Sequence, residues 1–120
     1  GMAEVALRKN TEVLEAGKHA IELAAAAGVL VGFGSDLMGE LEVEQLRGLQ
    51  AQHEVQGTLE LLRSLTSRNA QILGVDHVGA IRPGANGDLV ILADDPFTNP
   101  ATLWLESDRR VVIQSGIVVS

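Results

Sequence analysis

The chain has 120 residues, 46% apolar and 2% aromatic, with a formal net charge of −7 and no cysteine. This is enough for one modest domain burying about two thirds of its unfolded surface, with disulfides and thiolate metal sites excluded. The acidic balance sets aside nucleic acid and anionic membranes as partners, because both require a basic face.

The opening GMAEVALRKN is charged where an export signal needs an apolar core, and Gly1 before Met2 has the look of a tag remnant. The longest apolar run, AIELAAAAGVLVGFG, is interrupted by Glu22 and too rich in glycine to span a bilayer. The expectation is a soluble, cytoplasmic protein. Phe33, Phe97 and Trp104 are the only aromatics, so the core must come from Ala, Val, Leu and Ile.

Residues 3 to 27 predict a helix, because Val13, Leu14, Gly17, Ile21 and Ala24 recur at three- and four-residue steps. Gly28 supplies its left-handed stop. Residues 28 to 34 predict a short buried strand, apolar at nearly every position between Val29 and Phe33. Continuous rather than alternating hydrophobicity implies that both faces are covered, as in a parallel sheet. Residues 40 to 54 read as a helix with Leu41, Leu46 and Leu49 inward, and Gly57 ends that pattern. Thr58 to Leu73 predicts one helix with Leu59, Leu62, Leu65, Asn69, Ala70, Ile72 and Leu73 on its apolar side, closed by Gly74.

Beyond Gly74 the composition turns β-rich. Pro83-Gly84 suits a type II turn, and Leu89 to Ala93 predicts a buried strand stopped by Asp94-Asp95-Pro96. Arg110 to Ile113 and Ile117 to Val119 predict a hairpin across Gln114-Ser115-Gly116. Two regions are expected, residues 1–74 helical around one strand and residues 75–120 rich in β-structure.

Gly32-Phe33-Gly34-Ser35 is not a dinucleotide loop, because the third glycine is replaced by Leu37 and Gly39 comes two residues too late. Asp36 ends this apolar run and has two readings from local sequence. It can cap the following helix, or it can act as a catalytic acid or metal ligand. His19, His53 and His77 lie far apart, with no His-x-His or His-Glu-x-x-His, so no self-contained metal site is expected.

Four segments in order carry a family resemblance: AAAAGVLVGFGSD, LLRSLTSRNAQILG, GAIRPGANGDLVILADDP and VVIQSGIVV. Together they resemble the end of the metal-dependent amidohydrolases, in the subgroup with imidazolonepropionase-like hydrolases and dipeptidases. Gly87 stands where that pattern usually has alanine, and Gly57-Thr58 replaces a Thr-Pro helix start. The resemblance implies an α/β fold: the last helix, strand and helix of a (β/α)₈ barrel, then part of a small composite sheet domain. A whole barrel needs about 250 residues, so the chain reads as a carboxy-terminal fragment. The early His-x-His pair, the metal-bridging lysine and the two middle histidines have no counterpart here.

By that resemblance Asp36 is the aspartate after the last barrel strand, a ligand of a divalent metal and acceptor of the attacking water's proton. The parent is then a hydrolase of amide, cyclic amide or peptide bonds using a divalent metal such as zinc. The fragment alone is expected to be inactive and to bind no metal. Unpaired strand edges imply a homo-oligomer, a dimer or higher. The alternative from another class is a small self-associating α/β module with a role in assembly.

Overall fold

A computed structural model of the chain describes residues 2–34 and 45–120. Helix α1 spans Met2–Ala26, as its alanine-rich sequence predicts. Gly28 ends it at φ +72°, with Gly28 N–H donating to Ala25 at 3.2 Å and Val29 N–H to Ala24 at 2.9 Å. That pair of bonds is a Schellman motif, and it satisfies carbonyls the helix cannot satisfy itself. The same device closes α4 (Ser67–Leu73), where Gly74 at φ +73° donates to Gln71 and Val75 to Ala70.

The expected strand over 28–34 does not form a ladder. Residues 29–34 belong to neither helix nor sheet. Val29 and Leu30 are exposed, at 58% and 45%, while Val31, Gly32 and Phe33 are half-buried. The apolar run is present, but a strand needs a neighbouring strand, and none is supplied among the described residues.

Helix α2 spans Gln45–Gln56. The predicted start at 40 and the inward Leu41 lie outside the described residues; Leu49 is buried and Leu46 half-buried. The single helix expected over 58–73 is two, α3 (Thr58–Leu65) and α4. They are divided by Thr66 at φ −123°, ψ −93°, whose hydroxyl donates to the Leu62 carbonyl at 2.6 Å. Gly57, at φ +81°, separates α2 from α3.

The carboxy-terminal part forms an antiparallel sheet in the order β1-β2-β3, from Leu89–Ile91, Val111–Gln114 and Ile117–Val118. Leu89 pairs with Ile113 and Gln114 with Ile117. The hairpin turn is Ser115-Gly116, at φ +52° and +80°, the positive pair that a two-residue turn requires. The Pro83-Gly84 turn is type II as expected, with Gly84 at φ +88° and Ala85 N–H donating to Arg82 at 3.1 Å. Val90 and Ile91 are more than half exposed, so β1 is not the buried strand that its sequence suggests.

A 3-10 helix, Pro100–Leu103, went unrecognised in the sequence, and it supplies Leu103 to the core. Leu49 of α2, Leu61 of α3 and Leu103 form that core, with Phe33, Leu62, Leu92 and Trp104 packed around it. Arg110 holds the 3-10 helix from its carboxyl end, donating to the carbonyls of Thr102 at 2.7 Å and Leu105 at 2.9 Å.

Candidate functional site

Asp36, the one site residue that the sequence singles out, lies outside the described residues. The segment leading to it is described, and its backbone is held by polar side chains from three helices. Ser64 of α3 donates its hydroxyl to the Val31 carbonyl at 2.6 Å. Gln52 of α2 donates its amide to the Gly32 carbonyl at 3.2 Å. Asn69 of α4 meets Phe33 twice, accepting its N–H at 2.9 Å and donating to its carbonyl at 2.9 Å.

These contacts lie in the interior. Ser64 is fully buried and Gln52 nearly so, and both bond to the Gln56 carboxamide, at 3.3 and 2.8 Å. Buried polar groups must find partners, and here they find them in the backbone of residues 31–33. The Phe33 ring reaches the other way, toward α2, where a Cβ placed on Gly48 would stand 3.3 Å from its Cζ.

Sequence reasoning did not assign a role to Gln52 or Ser64, and placed Asn69 only as one position of an apolar helix face. The available signal was the carboxamide itself, a polar group within a stripe of leucine, alanine and isoleucine. Such a group is buried only when something answers its hydrogen bonds.

Beside residues 28–31 lies a cleft of about 490 Å³, bordered by Glu22, Val29, Leu30, Val55, Glu60 and Arg68. Glu60 is paired with Arg68 and, at 2.8 Å, with Arg63. The hydrogen bond from Arg68, then that from Arg63, holds its carboxyl below the ordinary value.

The histidines do not converge. His53 Nε2 is 2.9 Å from Thr58 Oγ1, and its ring lies 5.2 Å from that of Trp104. His19 faces Glu22 and His77 faces Asp76. Among the described residues no three His, Asp or Glu side chains come together as a metal site.

The sequence matches the amidohydrolase family over residues 1–119. Among solved structures, a prolidase complexed with N-methylphosphonate-L-proline is 39% identical, with a TM-score of 0.80 over 87% of this chain and 26% of its own. An amidohydrolase is 33% identical, with the same TM-score over 88% of this chain and 26% of its own. The chain thus spans about a quarter of the length of these structures. No curated protein matches it. With its family match running through all four motif segments, the chain belongs to the amidohydrolase family.

Proposed function

We propose that this chain contributes the closing part of a metal-dependent hydrolase that cleaves peptide bonds to proline. The observation that carries the reading is its 39% identity to a prolidase bound to a proline phosphonate, over 87% of this chain. A tetrahedral phosphonate has the shape that the amide carbon takes once water has added to it, so that ligand points to the bond broken.

Asp36 is the chain's chemical contribution in this reading. A carboxylate within hydrogen-bond reach of the attacking water takes its proton and later returns one to the leaving nitrogen. A divalent metal bound in the whole enzyme, zinc in the simplest case, with Asp36 among its ligands, would lower the pKa of the attacking water toward neutrality. In this reading its other ligands would come from outside the described residues, and the 120-residue chain alone should hydrolyse nothing above background.

The test is hydrolysis of Xaa-Pro dipeptides by the natural gene product. Asp36→Asn should reduce kcat/KM by at least about a hundredfold, the lower range for a lost acid–base group. Activity equal to wild type in that variant would remove Asp36 from the mechanism. A wild type without dipeptidase activity would end the prolidase reading.

A further inference from the structure

Phe33 carries one backbone donor and one backbone acceptor, and Asn69 answers both at 2.9 Å. A carboxamide presents its oxygen and its NH₂ side by side, as a residue on a neighbouring strand presents its C=O and N–H. Two bonds from one rigid planar group fix the rotation of the Phe33 backbone as well as its position. One bond would fix little more than a distance.

Gly32 gives a second, independent observation. It is absent from the positive-φ glycines, so backbone conformation does not require glycine there. Space does. A Cβ on Gly32 would collide with the Asn69 carboxamide and stand 3.0 Å from Ile72 Cδ1. Any side chain at this position would push the carboxamide off Phe33. The glycine is therefore matched to the asparagine 37 positions later.

We propose that Asn69 is a positioning residue for hydrolysis, fixing the backbone at Phe33, three residues before Asp36, with Gly32 leaving room for its carboxamide. The inference rests on the proposed catalytic role of Asp36. Catalytic groups must be held to about 0.5 Å and 10–20°, and side chains on rigid elements do this better than loops do. Asn69 sits on α4, which Gly74 closes with a satisfied cap. Ser64 and Gln52 hold the two preceding carbonyls, so the clamp covers three successive residues.

Two measurements test it. The first is amide hydrogen exchange on the chain itself, comparing wild type with Asn69→Ala, Asn69→Asp and Gly32→Ala. Protection of the Phe33 N–H should fall about tenfold in Asn69→Ala and Gly32→Ala, the effect of one lost hydrogen bond. Leu61 N–H, bonded to Gly57 at 3.1 Å, should keep its protection and so report an intact fold. In Asn69→Asp the ionised carboxyl can accept from Phe33 N–H but cannot donate to its carbonyl, so protection should lie between wild type and Asn69→Ala and rise as the carboxyl protonates. The second is dipeptide hydrolysis by the natural gene product, where Asn69→Ala should lower kcat about tenfold with KM nearly unchanged.

Unchanged Phe33 protection in Asn69→Ala would overturn the clamp. Lost protection with unchanged kcat would overturn its role in positioning. A wild type that hydrolyses no dipeptide would instead overturn the functional reading beneath it, and with it any reaction to position for.

Discussion

Glu60 accepts hydrogen bonds from two guanidinium groups, Arg68 and Arg63, which hold its carboxyl below the ordinary value of 4.5. A carboxyl with a lower pKa in the folded state contributes stability above its unfolded pKa. That contribution is lost as pH falls through the folded value. The Glu60 carboxyl should therefore titrate below 4.5 by NMR and move upward in Arg68→Ala, because the Arg68 bond is the largest cause. A midpoint that stays in place would show that the pair is solvated and idle, as many surface pairs are. Residues differ in how legible they are from sequence. Gly28 and Gly74 announced themselves, since each follows an apolar helix and glycine suits the left-handed stop. Leu61 did not, although it is fully buried while Leu59 is 47% exposed. One periodicity fitted across 58–73 assumes a single helix, and the break at Thr66 shifts the phase between its two halves. The catalytic reading of Asp36 rests on resemblance alone, because from local sequence an aspartate after an apolar run is more often a helix cap.

The hairpin shows how an element is held by contacts invisible to strand propensity. Its turn is docked on the residues that open β1. Ser115 N–H donates to the Asp88 carboxylate at 2.9 Å, and Gly116 N–H donates to the Gly87 carbonyl at 2.9 Å. A Cβ on Gly87 would stand 2.9 Å from Gly116 N and 3.1 Å from Gly116 Cα. Both are backbone atoms and cannot rotate away. Gly87→Ala should therefore destabilise the chain by about 1–3 kcal/mol, the usual cost of overpacking, although alanine fits the family pattern at this place. Thermal unfolding measures this, and an unshifted Tm would mean that the turn gives way freely. The turns and the hairpin were legible because glycine, proline and positive φ are local requirements. The unpaired 29–33 segment and the exposure of β1 were not, because burial and pairing depend on neighbours that a local pattern does not specify. The 3-10 helix escaped for a related reason: four residues are too few to show a period.

The molecule as a whole exposes 8628 Å², whereas a compact monomer of its mass exposes about 6,200 Å². Only about half of the unfolded surface is buried, not the two thirds that length predicts. Its radius of gyration, 16.0 Å, likewise exceeds the roughly 14 Å of a compact domain this long. The excess surface, roughly 2,400 Å², is larger than the ~1,600 Å² total that a standard interface buries. Apolar side chains stand exposed: Val29 at 58% on the unpaired segment, and Ile117, Val118 and Val119 at 67, 64 and 55% at β3 and just after it. An exposed apolar edge with unpaired backbone groups invites another strand. For the isolated chain the available strand is that of a second copy, and two-fold closure is the commonest arrangement. Sedimentation equilibrium at micromolar concentration should thus find a dimer or larger even oligomer rather than 12.7 kDa. Val118→Lys, which places a charge on the edge strand, should shift it toward monomer. Each copy carries −7, so added salt should screen their repulsion and tighten the assembly. A stable wild-type monomer at low and high salt would show that these surfaces are tolerated in water. Weakening by salt would show that charge pairs, not apolar edges, hold the copies together.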